Sequence, residues 1–241
     1  AHSQATLTEV DGLAQWIGVA PAGAPSGIDP LEALRLSASH LRSPKIEGLP
    51  PLTGGLIGYM GYDSVRRLEK LPNISKKDIP LPEIAFMLTS DLAVMDHAEG
   101  SITLIANAIN WDGSNERIDE AFADATARLD RMQSQLTAAI PGEIAHIPQS
   151  SEPIYERNMS QEDYIAKVIR AKEEIVSGEA FQIVLSQRFS MECSADAIDV
   201  YRMLRLRNPS PYMYLFRFDS GVDVVGSSPE ALVKVTDGEV M

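Results

Sequence analysis

Residues 208–241, NPSPYMYLFRFDSGVDVVGSSPEALVKVTDGEVM, carry the strongest fold signal in the chain. A loop with two prolines, Asn208-Pro-Ser-Pro-Tyr-Met213, leads into an apolar run over residues 212–218. A second run over 222–226 ends in Gly226-Ser-Ser-Pro-Glu230. Runs of this length that are rich in β-branched and aromatic residues, with Asp-Ser-Gly between them, predict two antiparallel strands.

The end of the chain predicts a strand that is cut short. A third apolar run over residues 231–235 is followed by a turn at 236–238 and then by Val240 and Met241. A strand of two residues would leave backbone donors and acceptors unpaired at an edge. We therefore expect the natural sequence to continue beyond Met241.

Length, charge and cysteine content narrow the class of protein. The chain has 241 residues, which suits one large domain or two small ones. It has no signal-peptide layout at its start and no apolar run long enough to span a membrane, so we expect a cytoplasmic protein. The net charge of −13 argues against nucleic-acid binding. The single cysteine, Cys193, excludes an internal disulfide and is expected to be a surface thiol.

The first half of the chain predicts a hairpin, a helix and a glycine-rich strand. Alternating residues on both sides of Asp11-Gly12 indicate the hairpin. Asp29, Pro30 and Glu32 suit the N-cap, N1 and N3 positions of a helix. The apolar stripe of this helix is Leu31, Leu34, Ala38 and Leu41. The run from Gly54 to Asp63 lacks both nucleotide-loop spacings, so close backbone packing is favoured over ligand binding.

Two strands, a helix and a linker are predicted next. Residues 84–109 indicate two strands joined by a turn at 97–100. Residues 115–139 indicate a helix whose apolar face is Ile118, Phe122, Ala125, Leu129, Met132 and Leu136. Residues 140–159 carry no hydrophobic period and indicate a linker. We therefore predict two domains, residues 1–150 and 151–241.

The second domain is predicted to open with a helix and a strand. Ser160 suits the helix N-cap and Gly178 its end. Its core face is predicted to be Ile165, Val168, Ile169, Ile175 and Val176. A strand over 180–189 and a helix over about 197–207 follow, the latter stopping at Asn208-Pro209. The elements together predict an α+β fold.

The sequence pattern alone indicates few candidate catalytic or binding residues. Glu230 follows Ser228 and Pro229 at a forced break in the chain, where partial burial would raise its pKa toward that of a general acid. A solvent-exposed glutamate after a turn fits the same pattern. Gln182 can donate and accept hydrogen bonds but cannot act as a base, and it also suits the outward face of a strand. The four histidines show no metal-ligand spacing.

Four blocks in order resemble one enzyme family. GGLIGYMGYD, FQIVLSQRF, NPSPYMYL and GSSPEALVKV are together similar to the large, chorismate-binding subunits (component I) of anthranilate synthase. The resemblance implies an α+β fold of antiparallel sheets packed as a sandwich with flanking helices. It implies a cytoplasmic lyase of tryptophan biosynthesis that converts chorismate and ammonia to anthranilate and pyruvate with Mg²⁺. Ammonia would come from a glutamine amidotransferase subunit, component II.

The resemblance also implies roles for individual residues. Glu230 falls on the general acid that helps the C4 hydroxyl of chorismate leave. Gln182 and Ser228 would contact the substrate; relatives that add water instead of ammonia carry a lysine base at the position of Gln182. The positions matching the feedback site for L-tryptophan are Asn208, Pro209, Pro211, Tyr212, Met213, Tyr214 and Gly226.

Several family blocks are not found in these residues. A tryptophan-site block is expected before Ala1, and a chorismate block and the Mg²⁺ ligands are expected after Met241. No metal ligand is therefore expected within this chain, and the chain alone is predicted to be inactive. Two other interpretations stay open: component I of 4-amino-4-deoxychorismate synthase, in the folate branch, and a non-catalytic amino-acid-binding module.

Overall fold

The computed structural model of the chain describes residues 3–72, 77–139 and 154–241. The chain divides into two compact units, Ala1–Pro141 and Gly142–Met241. All strand pairs in the described residues are antiparallel, as the α+β prediction requires. The predicted boundary between residues 150 and 151, and most of the predicted linker, lie outside the described residues.

The first unit contains six strands, two α-helices and a short 3₁₀ helix in its described residues. They are β1 (Ala5–Val10), β2 (Leu13–Gly18), α1 (Pro30–His40), β3 (Gly55–Met60), the 3₁₀ helix (Tyr62–Arg67), β4 (Ile84–Thr89), β5 (Asp91–Asp96), β6 (Ser101–Ala106) and α2 (Ile118–Thr137). Four strands form one sheet in the order β2-β1-β4-β3, and β5 pairs with β6.

The first hairpin and the helix after it form where the sequence predicted them. Asp11 and Gly12 both have positive φ, 51° and 83°, as a two-residue type I′ turn requires. The Asp29 carboxylate accepts hydrogen bonds from the backbone N–H groups of Leu31 and Glu32 and so caps α1.

The buried side of α1 differs in part from the predicted stripe. Pro30, Ala33 and Ser37 are its buried residues, whereas Ala38 is exposed. Ala33 packs against Leu7 and Ala14, which are also fully buried. Small side chains form this contact because they let the helix approach the β1–β2 hairpin closely.

Arg67 fixes the start of α1 to the start of β4. Its guanidinium donates two hydrogen bonds to the Glu83 carboxylate, at 2.7 and 2.9 Å, and one to Asp29 at 2.7 Å. The hydrogen bonds to Glu83 and Asp29 raise the pKa of Arg67 well above its usual range. A planar guanidinium suits this bridge because it can bind two carboxylates at once.

Close packing explains one of the glycines in the run over 54–63. A Cβ added to Gly58 would overlap the backbone carbonyl of Ala85 on the neighbouring strand β4. The backbone contact confirms that Gly58 serves packing, as the sequence favoured.

Gly58→Ala is therefore expected to lower the free energy of unfolding of the first unit by about 2 kcal/mol, because strands β3 and β4 must move apart. Both tryptophans of the chain, Trp16 and Trp111, lie in this unit, so their fluorescence during urea unfolding reports on it alone. Gly61→Ala is the matched control, since its Cβ would lie 3.2 Å from the Glu83 carbonyl oxygen. Equal stability of the two variants would contradict the packing argument.

The two strands predicted over residues 84–109 are three strands. The chain leaves the four-stranded sheet at Ser90, where β4 ends, and β5 then pairs with β6. The Ser90 carbonyl accepts hydrogen bonds from both the backbone and the side-chain nitrogen of Asn107, which closes the new hairpin. Sequence periodicity missed this break because the residues on both sides of Ser90 are equally apolar.

Helix α2 packs against β6 through a face that matches the predicted one only in part: Ala125 of the predicted face is buried, and Leu129 and Met132 are half-buried. Its buried residues are Ala125 and Arg128, whereas Phe122, on the predicted core face, is 69% exposed. Ile118 and Leu136 are exposed too. The Arg128 side chain donates to Asp91, to Asp124 at 2.8 Å and to the Asn107 carbonyl at 2.8 Å. These partners hold the side of α2 that carries Arg128 in place, and part of its apolar stripe stays exposed.

The second unit contains short strands and two helices in its described residues. They are β7 (Glu156–Arg157), α3 (Gln161–Val176), β8 (Phe189–Ser190), α4 (Ala197–Arg207), β9 (Tyr212–Arg217), β10 (Asp223–Ser228), β11 (Val235–Thr236) and β12 (Glu239–Val240). The predicted β9–β10 hairpin and helix α4 are confirmed. The turn predicted at 236–238 joins β11 to β12, with positive φ at Asp237 and Gly238.

Two predictions for the second unit are wrong. The strand expected over residues 180–189 is reduced to Phe189–Ser190, because no strand in the described part of the chain pairs with residues 180–187, and Arg188 exchanges hydrogen bonds with Asn158, in the segment that leads from β7. The third run over 231–235 is likewise reduced, with β11 beginning at Val235. A periodic apolar segment forms a strand only where a neighbour supplies its hydrogen bonds.

Helix α3 forms without the core that was predicted for it. It begins after Ser160, whose hydroxyl accepts from the Asp163 N–H at 3.0 Å, as expected. However, none of its residues is buried, and Ile169 and Val176 are 54% and 88% exposed. The apolar face is present in the sequence, but no described element covers it.

No helix in the described part of the chain combines the length and the apolar character that crossing a bilayer requires.

Candidate functional site

The candidate site is built on the β9–β10 hairpin, and helix α4 lies across one face of it. The side chain of Arg217, at the end of β9, pairs with Asp196, the N-cap of α4. At the other end of the helix, the Ser227 hydroxyl donates to the Asn208 carbonyl at 2.7 Å. Hydrogen bonding to Arg217 lowers the pKa of Asp196. The helix and hairpin are thus joined at both ends.

Side-chain alternation divides the predicted tryptophan-site residues between the two faces of the hairpin. Met213 pairs with Ser227, and Ser227 is tied to the end of α4, so Met213 lies on the face that α4 covers. Tyr212 and Tyr214 lie on the opposite face, with Ser228 and Gly226 as their cross-strand partners. The two tyrosines, and not Met213, share a surface with Gly226.

Tyr214 covers Gly226 directly. A Cβ added to Gly226 would overlap the far end of the Tyr214 ring. The ring also stacks on Phe216, with centroids 5.1 Å apart and planes 17° apart. A glycine opposite an aromatic residue leaves room for the ring to lie flat on the sheet, and this ring remains 38% exposed. The hairpin therefore presents a flat aromatic surface on this face.

Gly226→Ala is expected to displace the Tyr214 ring and to break its stacking on Phe216. Because only the end of one side chain must move, the cost in stability should stay below about 1 kcal/mol. Chemical shifts of the Tyr214 ring protons, which stacking perturbs, measure the displacement by NMR. Gly221→Ala is not a suitable control because φ is positive there, so Val225→Ala, on the opposite face of β10, serves instead. Unchanged Tyr214 shifts in Gly226→Ala would contradict this arrangement.

The structure places Glu230 just after this hairpin but leaves it exposed. The Ser228 hydroxyl donates to the Glu230 carbonyl at 3.0 Å, which holds the short segment 228–230 in a turn. The Glu230 side chain is exposed, so the partial burial expected for a proton donor is not provided by the described residues. Glu230 lies two residues after Ser228, the last residue of β10.

Gln182 is not brought to the hairpin. It lies in the extended segment 180–188 and is exposed, and no hydrogen bond in the described residues joins it to β9 or β10. The same segment holds Phe181, whose side chain is fully exposed. The structure therefore gathers Ser228, Glu230 and the tyrosines, and leaves Gln182 apart from them.

The loop with two prolines turns the chain from α4 into β9. Asn208 ends the helix, with its N–H donating to the Leu204 carbonyl at 2.8 Å. Pro209 and Pro211 follow, and proline has no N–H to continue a helical ladder. The loop therefore leads directly into Tyr212, the first residue of β9.

Sequence reasoning missed the two contacts that hold this site together. The Asp196–Arg217 pair and the Ser227–Asn208 hydrogen bond each join residues about 20 positions apart, as their separations of 21 and 19 show. Asp196 precedes α4 as an N-cap residue would, and that signal was available. Nothing in the sequence indicates that Arg217 is its partner.

Among the described residues, no three His, Cys, Asp or Glu side chains lie close enough together to hold a metal ion. Cys193 is exposed, as predicted.

Comparison with known proteins gives a consistent result. Residues 13–241 match the family model of chorismate binding enzymes. Over 99% of its length the chain is 49% identical to anthranilate synthase component 1 of Mycolicibacterium smegmatis, and it covers 46% of that protein. It is 44% identical to anthranilate synthase component 1 of Arthrobacter globiformis over 100% of the chain and 47% of that protein.

A solved structure agrees. The crystal structure of anthranilate synthase component I from Streptococcus pneumoniae TIGR4 has a TM-score of 0.76 and 27% identity, over 100% of this chain and 51% of that one. The chain thus spans about half the length of the curated relatives that it matches.

Proposed function

Because the chain belongs to the chorismate-binding enzymes, we propose that it acts as part of an anthranilate synthase large subunit. The reaction converts chorismate and ammonia to anthranilate and pyruvate, with release of water, as a step of tryptophan biosynthesis. One observation carries this proposal: identity of 44–49% to anthranilate synthase component 1 proteins over nearly the whole chain. Such similarity is not confined to the four blocks that first suggested the family.

The proposed chemistry assigns one role to each substrate-contacting residue. Glu230 donates a proton to the C4 oxygen of chorismate, which then leaves as water while ammonia supplies the new nitrogen. Proton donation is needed because hydroxide is a poor leaving group. Ser228, two residues earlier, binds the substrate beside Glu230. Gln182 contributes hydrogen bonds and no base, which suits ammonia because a neutral amine is already a nucleophile.

The proposal includes Mg²⁺, although the described residues do not supply its site. Mg²⁺ prefers carboxylate oxygens in octahedral geometry, and the described part of the chain holds no cluster of three such ligands. The residues present therefore do not fit the ion, and we derive no step through it.

We also propose that L-tryptophan binds at the aromatic face of the hairpin and inhibits the enzyme. The exposed rings of Tyr212 and Tyr214 offer a surface on which an indole can stack. Asn208, Pro209 and Pro211 form the adjoining loop, and Gly226 leaves the surface flat. Met213 lies on the other face and would contribute through its backbone. Inhibition requires that tryptophan favour a state with low affinity for chorismate.

Tyr214→Ala in the complete protein is expected to raise the tryptophan concentration for half inhibition at least about tenfold, through loss of ring stacking. The measurement is anthranilate formation at fixed chorismate over a tryptophan series. Tyr62→Ala is the matched control, since that ring is 92% exposed and lies in the first unit. An unchanged inhibition curve for Tyr214→Ala would remove this face from the regulatory proposal.

The proposed setting is the cytoplasm, with a glutamine amidotransferase subunit as partner. The relatives are named component 1, which implies a second component. We expect the complete protein to use free ammonia slowly without the partner subunit. We expect it to use glutamine efficiently only when that subunit is present.

We further propose that these 241 residues alone do not turn over chorismate. Glu230 and Gln182 are both exposed, and α3 has no buried residue. An acid that acts on a bound substrate needs walls that exclude water on more than one side.

Two alternative functions are distinguished from the leading proposal by the tests. The first is component I of 4-amino-4-deoxychorismate synthase, which shares the substrate and the nucleophile. In the expected block after Met241, alanine before Gly-Thr would favour anthranilate synthase and lysine would favour this alternative. The second is a non-catalytic amino-acid-binding module with the same aromatic face. The identity to anthranilate synthase component 1 proteins favours the leading proposal over both.

A further inference from the structure

A cleft of about 720 Å³ opens in the first unit, and none of the site residues assigned above lines it. One wall is the C-terminal end of α1 and the loop that follows it, from Ala38 to Pro44. The floor is formed where β3 begins and β4 ends, and the other wall is the segment after β6. Small-molecule sites typically have volumes of roughly 300–1,000 Å³, so the cleft has the size of a ligand site.

The floor of the cleft is apolar. Leu56 and Leu88 lie at its base, and Leu88 is only 3% exposed. Leu41 and Ile109 face it from the two walls and are half-buried. Partly buried aliphatic side chains around a cleft suit the body of an apolar ligand, whose binding removes this surface from water.

The charge of the lining is opposite to that of the chain. The sequence holds 34 acidic residues and has a net charge of −13, yet no Asp or Glu is found among the described residues that line the cleft. The ionisable side chains in the lining are His40 and Arg42. The Arg42 guanidinium forms no ion pair within the described part of the chain. An unpaired arginine in a cleft without carboxylates favours an anion.

Asn107 adds a second polar group that is held in place. Its side-chain nitrogen donates to the carbonyls of Thr53, at 2.7 Å, and Ser90, at 2.9 Å. Both amide hydrogens are therefore used, and the amide oxygen has no donor among the described residues. A Cβ on Gly54 would lie 2.7 Å from this nitrogen, so glycine at 54 makes room for the amide. The free oxygen can accept a hydrogen bond from a ligand hydroxyl or amine.

We propose that this cleft is a binding site for a small carboxylate with an apolar body and one hydrogen-bond donor. Arg42 binds the carboxylate, the leucine floor holds the apolar body, and the Asn107 side-chain oxygen accepts from the donor. The described residues that line the site all belong to the first unit, and none of them is among the residues proposed to bind chorismate or tryptophan. Whether this site binds a ligand therefore does not depend on the proposed enzyme activity.

The probe that combines these three features is 4-hydroxyphenylacetate, added to the ¹⁵N-labelled 241-residue chain. We expect the backbone signals of Gly54 and Gly55 and the side-chain amide of Asn107 to shift in a saturable way, because all three residues line the cleft. The uncharged 4-hydroxyphenylacetamide is the control ligand and should bind at least about tenfold more weakly, since it loses the charge-assisted hydrogen bond to Arg42.

Three variants decide between the cleft and another location. Arg42→Gln should weaken binding of the carboxylate about tenfold and leave binding of the amide unchanged. Ala38→Trp should abolish binding of both, because Ala38 is exposed on α1 and lines the cleft, so the added ring fills it without entering the core. Arg131→Gln, an exposed arginine on α2, is the matched control and should leave both affinities unchanged.

The proposal is overturned by any of three results. They are no saturable shifts at Gly54, Gly55 and Asn107, equal affinity for the carboxylate and the amide, and binding that survives Ala38→Trp while that variant retains the native spectrum elsewhere. None of these results would bear on chorismate turnover, so failure here is distinguishable from failure of the proposed function.

Discussion

Glu230→Gln in the complete protein is expected to lower turnover of chorismate at least about 100-fold. Glutamine keeps the size and hydrogen bonding of the side chain but has no proton to donate, and general acid catalysis contributes roughly 100- to 10,000-fold. The Michaelis constant should change little, because the proton is transferred only as the C4 oxygen leaves. The measurement is kcat and KM for anthranilate formation with ammonium as the nitrogen source.

The separate effects on kcat and KM distinguish proton donation from a structural role. Loss of proton donation lowers kcat and leaves KM nearly unchanged, whereas disturbance of the surrounding structure changes both. Glu239→Gln is the matched control, since Glu239 is also exposed and lies in the same unit. Near-normal turnover of Glu230→Gln would remove Glu230 from the mechanism and leave the family assignment intact.

Arg128→Met is expected to lower the free energy of unfolding of the first unit by about 3 kcal/mol. Methionine fills much of the arginine's volume but leaves Asp91 and the Asn107 carbonyl without their partner. Arg128 is 6% exposed and Asp91 has a side chain 19% exposed, so water restores little of the lost interaction. Removing one partner of a buried ion pair typically costs about 3–5 kcal/mol. The lower end applies here because Asp124, the other partner, is 53% exposed.

Urea unfolding followed by tryptophan fluorescence measures this effect, since both tryptophans lie in the first unit. Arg131→Met is the matched control on the same helix, and because Arg131 is exposed it should change stability by less than about 0.5 kcal/mol. Adding Asp91→Leu to Arg128→Met should recover part of the loss by removing the stranded carboxylate. Equal stability of Arg128→Met and Arg131→Met would show that the apolar contacts of α2, and not Arg128, hold it to β6.

Local signals in the sequence predicted the local elements well. The Asp11-Gly12 turn, the Asp29 cap of α1, the Ser160 cap of α3 and the β9–β10 hairpin all depend on neighbours a few residues away. Each of these elements can therefore be predicted from a few consecutive residues of the sequence. The likeness to the anthranilate synthase component I structure confirms the predicted α+β class.

The wrong predictions concern contacts that a short window does not contain. Helix α2 is held by Arg128, whose partners Asp91 and Asn107 lie in and just after the preceding hairpin, and its apolar stripe alone did not indicate that Arg128 is buried. The segment 180–187 has the composition of a strand, but no strand in the described part of the chain pairs with it. The core face of α3 is likewise apolar but uncovered. Periodicity predicts which side of an element can be buried, and the rest of the fold decides whether it is.

The candidate site shows the same division. Strand alternation in the sequence would have sufficed to place Met213 and Tyr214 on opposite faces. The contact of the Tyr214 ring with Gly226 and the exposure of the Glu230 side chain could be seen only in the structure.

The central claim is tested most directly by identifying the product that the complete protein forms. The protein from the full-length gene is incubated with chorismate, ammonium and Mg²⁺, with the 241-residue chain in parallel, and the products are separated and identified. We predict anthranilate and pyruvate from the complete protein only, with formation suppressed by L-tryptophan. Aminodeoxychorismate as the product would contradict the proposal in favour of the folate branch, and no turnover by the complete protein would contradict it in favour of a binding module.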